Sequence, residues 1–180
     1  MKLMFISDIH GSGYHFKRVM DCISMEKPDF VCLLGDLLYH GPRNPLPEGY
    51  DPEFVIEGLN GMKESIISVR GNCDTEVDQM VLEFPILADY TIILSDNRRL
   101  FLTHGHHYNG SNMPKLTKGD AVIHGHTHIP SAEIVDGIYV LGPGSISLPK
   151  EGTPHSYGIL EEDLFTVKDM EGNSYLTYKL

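Results

Sequence analysis

The sequence predicts an α/β fold, a four-layer αββα sandwich in which two mixed sheets pack together and are flanked by helices. Apolar runs and amphipathic stretches alternate in the first half of the chain in the order βαβαβ, and the second half is mostly short apolar runs separated by turns. A length of 180 residues is typical of one domain, so we expect residues 1–180 to form a single unit.

Three apolar runs in the first half indicate buried strands, at residues 2–7, 30–34 and 65–69. Two stretches between them predict helices, at residues 15–25 and 52–64. In the first helix, apolar residues recur at the i, i+3, i+4 and i+7 spacing of one face from Phe16 onwards, and Pro28 ends the pattern. The second helix begins at Pro52, where a proline removes no hydrogen bond.

The segment from Tyr39 to Tyr50 contains three prolines and two glycines, which argue against regular structure. Its length is unusual for a compact domain and favours a functional loop. After the third strand, Asp74 or Thr75 can cap a short helix that extends to Leu82.

Further apolar runs predict strands at residues 90–94, 100–103, 121–124, 132–135 and 138–141. A turn at residues 95–97 is predicted to join the first pair, and Asp136-Gly137 indicates a hairpin between the last pair. Alternating residues from 156 to 180 predict two or three antiparallel strands, with turns near residues 161–163 and 171–173.

Composition narrows the class of function. The net charge of −11 and the lack of a basic run argue against a nucleic-acid footprint, although bound cations could still attract an anionic substrate. No run of 18 apolar residues predicts a membrane span, and the apolar N-terminal run is too short for a signal peptide, so we expect a cytoplasmic protein. Three cysteines without a CxxC pattern indicate reduced thiols.

Histidines concentrate in one part of the chain. Six of the ten lie between His104 and His128, and residues 123–128 read Ile-His-Gly-His-Thr-His. Imidazole is the commonest ligand of transition metals, and this density is hard to explain by packing alone. A solvated polar loop is the alternative interpretation.

Five predicted strands end in the same way, each in a turn that carries Asp, Asn or His beside a glycine. The candidate ligands at these turns are Asp8, His10, Asp36, Asn72, His104, His126 and His128. Carboxylate, amide and imidazole together suit Mn²⁺, Fe²⁺, Zn²⁺, Co²⁺ or Ni²⁺ better than Ca²⁺. Seven ligands are too many for one ion, and they suit two ions that share a carboxylate. A hydroxide bridging two such ions would be a nucleophile at neutral pH, and the remaining positive charge would attract a phosphoester.

These motifs, in this order, resemble the signature of the calcineurin-like metallophosphoesterase superfamily: Asp8-x-His10, Gly35-Asp36, Gly71-Asn72-x-Asp74, His104-Gly105 and Gly125-His126-x-His128. Within it, Gly-Pro-Arg-Asn at 41–44 and Arg-Gly-Asn-Cys-Asp at 70–74 resemble the small bacterial and archaeal YfcE-type phosphodiesterases. The resemblance implies the metallophosphoesterase fold and two divalent ions, with Mn preferred over Fe, Zn, Ni or Co.

The resemblance also implies how the ligands divide between the ions. The first ion would take Asp8, His10, Asp36 and His128. The second ion would take Asp36, Asn72, His104 and His126. Asp36 would therefore bridge the two ions.

The chain departs from the superfamily pattern at Cys73, where many members have a histidine that protonates the leaving group or binds phosphate. A thiol is a poor replacement at pH 7, so the resemblance implies substrates with good leaving groups; the alternative is that Cys73 only fills space. His106, His107 and Arg43 are the candidates to replace the missing histidine, and Asp74 is expected to orient a neighbour. His107 and His124 are otherwise expected to pack or to support ligands, and His15, His40 and His155 to be surface residues.

The resemblance thus implies a metal-dependent phosphodiesterase for a small phosphodiester, or for a phosphomonoester, with Asp36, Asn72, Cys73, His106 and Arg43 as candidate catalytic residues. The alternative is a catalytically weak or inactive scaffold of the same fold that binds protein partners, as in the retromer coat. A nuclease is disfavoured because there is no basic groove with aromatic residues. Exposed edges of the C-terminal strands leave a homo-oligomer open.

Overall fold

The computed structural model describes residues 1–95 and 98–180. Its helices are α1 (Gly13–Glu26), α2 (Pro52–Gly61) and α3 (Glu76–Val81). Its strands are β1 (Lys2–Ile6), β2 (Phe30–Leu33), β3 (Ile66–Ser68), β4 (Tyr90–Ser95), β5 (Arg98–Thr103), β6 (Ala121–His124), β7 (Pro130–Val135), β8 (Ile138–Pro143), β9 (Ser156–Glu161), β10 (Leu164–Asp169) and β11 (Ser174–Lys179). Residues 96 and 97 of the predicted 95–97 turn lie outside the described residues, and Ser95 ends β4.

The strands form two mixed sheets, as the sequence predicts. The first has the order β11-β10-β9-β1-β2-β3, in which β1, β2 and β3 are parallel and the C-terminal strands are antiparallel. The second has the order β4-β5-β6-β8-β7, with β5, β6 and β8 parallel. The parallel strands of each sheet end at one edge, and both edges contribute to the site described below.

Alternation along β1 shows how the layers pack. Met4 and Ile6 point to the core beneath α1 and α2, whereas Leu3 and Phe5 point between the two sheets. This two-residue period is the one expected for a strand buried on both faces.

The outer layers differ on the two sides of the sandwich. Helices α1 and α2 cover the first sheet. On the second sheet, Phe101 and Val122 pack against Tyr108, Met113 and Leu116 from residues 104–120, a fully described segment that contains no helix. An irregular segment therefore forms the fourth layer of the predicted α/β sandwich.

The loop from Tyr39 to Tyr50 has no helix or named strand, as predicted, yet it is held firmly in place. Gly13 donates its backbone N–H to the carbonyl of Gly49 (2.9 Å), and the hydroxyl of Ser12 donates to the carbonyl of Glu48 (2.6 Å). The loop is thereby fixed beside the turn that follows β1. The second predicted helix is shorter than expected, because it ends at Gly61 and residues Lys63–Ser65 form a 3₁₀ turn.

Within the described residues, no helix combines the length and apolar character that crossing a membrane would require.

Candidate metal centre

The turns after β1, β2, β3, β5 and β6 meet between the two sheets. The structure brings together all seven predicted ligands: Asp8, His10, Asp36, Asn72, His104, His126 and His128. Because the turns come from the ends of parallel strands in both sheets, the site depends on how the sheets pack as well as on each motif.

Three of the ligands form a fully buried group. Oδ1 of Asp8 lies 3.2 Å from Nε2 of His128 and 3.6 Å from Nε2 of His10. The two imidazole nitrogens lie 3.5 Å apart. A carboxylate oxygen and two ring nitrogens thus converge on one point.

A second group lies next to it. Nε2 of His104 lies 3.1 Å from Oδ1 of Asn72 and 3.2 Å from Nδ1 of His126. Asn72 is exposed and His126 half-buried, so these two residues give the group access to solvent, whereas His104 is buried.

Asp36 lies between the two groups. Its Oδ2 atom is 3.8 Å from Nε2 of His10 and 3.4 Å from Nε2 of His104. Its Oδ1 atom accepts the backbone N–H of Cys73 at 2.8 Å. One oxygen is therefore engaged by the backbone, and the other faces ligands of both groups.

The outer nitrogens of three rings fix their tautomers. His10 and His104 donate Nδ1–H to the carbonyls of Tyr39 (2.8 Å) and Leu34 (2.7 Å), and His128 donates to the carbonyl of Leu148. This directs each Nε2 into the site, where it offers a lone pair when the ring is neutral, as in metal-binding histidines whose second nitrogen is hydrogen-bonded.

A buried oxygen without a hydrogen bond tests whether the residues fit a cation. Oδ2 of Asp8 accepts the Ser7 hydroxyl (2.6 Å) and the His126 backbone N–H (3.1 Å). Oδ1 is buried and has no hydrogen-bond partner. Burying such an oxygen is costly unless a positive charge compensates it, so the donor set fits a divalent ion.

The backbone of the site is strained. Asp8, His10, Asp36, His126 and His128 all adopt positive φ, between 49° and 67°. Such conformations cost energy in residues other than glycine and persist where the surroundings impose them.

Two glycines allow the turns to pack closely. A Cβ at Gly125 would lie 1.8 Å from Oγ of Ser7, and one at Gly71 would lie 2.2 Å from the nitrogen of Asp36. Glycine is therefore required at both positions on steric grounds.

Asp74 supports the turn that carries Asp36. Its buried carboxylate accepts the backbone N–H groups of Asp36 (2.9 Å), Leu37 (2.8 Å) and Gly71 (2.7 Å). Burial, with the nearby Asp36 charge, raises the pKa of Asp74 to about 6 despite these donors. Asp74 thus holds two ligand-bearing turns together and does not point its carboxylate at the ligands.

Charges within the site shift several pKa values. Burial lowers the pKa of His104, but the carboxylates of Asp36 and Asp8 outweigh it and raise that pKa to about 9. Burial raises the pKa of Asp8, but the His128 ring at 3.2 Å and the imidazoles of His104 and His10 lower it below its usual range. Without a cation the site retains a proton on His104, and an arriving cation must displace that proton.

Cys73 adjoins both Asp36 and His10, as one of three donors within 4.8 Å of one another. It is buried, and its sulfur accepts a hydrogen bond from the Asn72 amide (3.2 Å). Burial and the Asp36 charge raise the thiol pKa to about 12, so the thiol is neutral at physiological pH.

Arg43 and His106, the other two candidate catalytic residues, occupy different positions beside the candidate ligands. Arg43 lines a cleft of about 320 Å³ together with Asp36, Asn72, His126 and His128. His106 is half-buried, its ring centroid 5.3 Å from that of His104. Burial and the neighbouring histidines lower its pKa to about 4, so His106 is neutral at pH 7.

Sequence reasoning missed Asn44 and Lys150, which line the same cleft. Lys150 donates its backbone N–H to the carbonyl of His128 at 3.3 Å. Neither residue belongs to a ligand motif. Asn44 could have been found from its neighbour Arg43, whereas the sequence around Lys150 gives no signal.

The surface assignment of His15 is wrong. His15 is buried and stacks on His155, with ring centroids 4.1 Å apart. His40 and His155 are partly buried, and His40 packs edge-on against Tyr39 and Tyr50. His124 is buried as expected, and His107 is exposed.

The chain is similar to known proteins over nearly its whole length. The model of the calcineurin-like phosphoesterase superfamily domain matches residues 1–164. Phosphodiesterase YfcE of Escherichia coli strain K12 is 48% identical over 176 residues, covering 98% of this chain and 96% of that protein. The solved structure of the E. coli phosphoesterase Yfce superimposes with a TM-score of 0.97 at 47% identity, covering 99% of each chain. Vacuolar Protein Sorting 29 from Cryptosporidium parvum, at 16% identity and a TM-score of 0.64 over 99% of this chain and 98% of that one, shares the fold.

Proposed function

The chain belongs to the calcineurin-like phosphoesterase superfamily, and on that premise we propose that it is a phosphodiesterase that uses two divalent ions to hydrolyse a small phosphodiester. The observation that carries the proposal is the position of Asp36, whose Oδ2 atom faces ligands of both groups at 3.8 Å and 3.4 Å. A carboxylate shared between two sets of nitrogen and oxygen donors suits a pair of ions.

The proposed ligand sets follow the two groups. Asp8, His10 and His128 would hold one ion, together with Asp36. Asp36, Asn72, His104 and His126 would hold the other. When bound, the ions would supply Lewis acidity for the phosphoryl group and lower the pKa of water. Mn is the ion we propose to test first, before Fe, Zn, Ni and Co.

In this proposal the residues that line the cleft bind and orient the phosphodiester. Arg43 and Lys150 line it beside the ligands and would balance the charge of a phosphoester oxygen. The amide of Asn72 is exposed towards the same cleft. These groups would bind and orient the phosphodiester, which accounts for a large part of phosphoryl-transfer catalysis.

Among the residues that the structure describes, the candidate site lacks a good proton donor for the leaving group. The thiol of Cys73, with a pKa raised to about 12 by burial and the Asp36 charge, donates a proton poorly. His106 carries no proton to spare at pH 7, because burial lowers its pKa to about 4. We therefore propose that good substrates have leaving groups that depart without a proton.

The alternative of a non-catalytic scaffold finds less support. A scaffold has no need of metal ligands held in strained turns. Here all seven candidate ligands are present, five of them have positive φ, and three histidine rings are hydrogen-bonded to backbone carbonyls.

The test is hydrolysis of bis(4-nitrophenyl) phosphate beside 4-nitrophenyl phosphate, using protein stripped by chelator and refilled with Mn²⁺. We expect faster turnover of the diester, restored as the metal content reaches about two ions per chain. One ion at full activity would contradict the two-ion centre. Two ions without turnover of either ester would favour the scaffold.

A further inference from the structure

An apolar hollow opens beside the metal centre on the Cys73 side. It has a volume of about 400 Å³, within the range of small-molecule sites. The residues that line it are Leu38, Tyr39, Tyr50, Pro52, Ile56, Cys73, Thr75, Val77, Asp78 and Val81. They come from the 39–50 loop with Leu38 before it, from α2, and from α3 with the turn that precedes it, and together they make a concave surface next to the proposed ligands.

The hollow is continuous with the metal centre through Cys73. Cys73 lies within 4.8 Å of donor atoms of His10 and Asp36, and it also lines the hollow. On the same side, the backbone carbonyl of Tyr39 accepts Nδ1–H of His10. A phosphoester bound at the ligands would therefore have one of its organic arms close to this hollow.

The lining of the hollow selects an uncharged arm. Its two polar residues, Thr75 and Asp78, are already paired, since Asp78 accepts the Thr75 backbone N–H (2.6 Å) and hydroxyl (2.9 Å). The other lining side chains are apolar or aromatic. Tyr39 and Tyr50 both line the hollow, and each ring packs edge-on against His40.

Part of this lining is otherwise unexplained. Val77 is 69% exposed on α3, and Val81, one helical turn further along, is 44% exposed. Surface helices usually place polar residues at such positions, and an exposed apolar patch beside a cleft is typical of a binding site.

We propose that this hollow binds a flat aromatic arm of the phosphodiester, so that the enzyme prefers aryl esters to esters with small alkyl arms. The proposal rests on the proposed function for the phosphate position and adds the substrate class. A second hollow reaches His126 on the other side, but its lining includes Asn109, Ser111 and Glu133, which suit a polar arm better.

Binding of two phosphonates to the Mn²⁺-refilled protein tests the subsite without turnover. Phenylphosphonate and methylphosphonate share the same head and differ in the arm. Calorimetric titration should show phenylphosphonate binding at least about tenfold more tightly, because the ring removes apolar surface from water. Equal affinities, or binding of neither compound, would overturn the proposal.

Substitutions in α3 test whether the preference for phenylphosphonate depends on the hollow. Val77→Asn combined with Val81→Asn should reduce the ratio of the two affinities to about twofold or less. Met80→Asn is the matched control, because Met80 is 84% exposed on the same helix and does not line the hollow. It should keep the wild-type ratio. The proposal would be overturned if the double variant kept the wild-type ratio of phosphonate affinities and Val135→Asn, at the second hollow, lost it.

Turnover of bis(4-nitrophenyl) phosphate by the same preparation separates this proposal from the proposed function. Turnover with equal phosphonate affinities would refute the subsite and leave the phosphodiesterase standing. A tenfold phosphonate preference without turnover would support the subsite and refute the catalytic proposal.

Discussion

The two halves of the candidate metal centre differ in their access to solvent. Asp8, His10 and His128 are fully buried, and their ring nitrogens are tied to backbone carbonyls. In the other half, Asn72 is exposed and His126 half-buried, and both line the open cleft. His128 also lines that cleft and His104 is buried, so the two halves differ in degree. We expect the more buried half mainly to hold its ion and the more exposed half to contact the substrate.

The largest effect is expected at the residue that joins the halves. Asp36→Asn removes the charge that faces both His10 and His104 and should lower activity more than about 10³-fold. Both ions should be lost together, as measured by metal analysis after gel filtration. Loss of only one ion would show that Asp36 serves one half. Asp163→Asn, a change at a distant exposed carboxylate, is the control.

The two halves should respond differently when one neutral ligand is removed from each. His10→Ala deletes a buried ring and its hydrogen bond to Tyr39, so the metal-free protein should lose on the order of 2 kcal/mol of stability. Asn72→Ala removes an exposed amide that is hydrogen-bonded to Cys73 and His104, and it should cost less, on the order of 1 kcal/mol.

The two variants should be alike in activity, because each should lose about 10²-fold or more of its turnover with Mn²⁺ present. Urea denaturation of the chelated proteins gives the stabilities. Equal destabilisation by the two changes would contradict the division into a buried and an open half.

Stability of the metal-free protein should depend on pH because of His104. Burial lowers its pKa, but Asp36 and Asp8 raise it to about 9, above the usual 6.5. A raised histidine pKa contributes stability that is complete below pH 6.5 and is lost as pH rises through about 9. The loss should be on the order of 3 kcal/mol.

Urea denaturation between pH 6 and 10 checks this prediction. The Mn²⁺-refilled protein should not show the decline, because the cation replaces the proton on His104. The same decline in the chelated His104→Gln variant would assign it to another group.

The sequence was sufficient to predict which side chains converge at the candidate site, because each lies in a short motif at the end of a strand; their role as metal ligands stays a prediction. It also predicted both sheets, since apolar periodicity determines which face of a strand is buried. It did not reveal Lys150 in the cleft or the stacking of His15 on His155, 140 positions further along the chain. Such contacts arise from packing between distant segments and leave no local pattern.

The fourth layer shows the same limit. The irregular segment 104–120 covers the second sheet through Tyr108, Met113 and Leu116, whose spacing follows neither a helical nor a strand period. The apolar hollow was not predicted either, because the 39–50 loop, α2 and α3 each supply only part of its wall.

The smallest effect is expected where the open half adjoins the apolar hollow. Cys73→His would introduce an imidazole beside Asn72 and Asp36, where the thiol pKa is raised to about 12 by burial and the Asp36 charge. An imidazole can protonate a departing alkoxide at neutral pH, so turnover of esters with poor leaving groups should rise, by about tenfold if proton donation limits the rate.

Steady-state kinetics of Cys73→His on phenyl and 4-nitrophenyl diesters gives the comparison, with Cys73→Ser as the control for size. Turnover of the 4-nitrophenyl ester should change little, since 4-nitrophenolate departs without a proton. An equal gain on both esters would indicate that the new side chain binds phosphate. No gain on either ester would mean that a group other than Cys73 supplies the proton, or that a different step limits the rate of turnover.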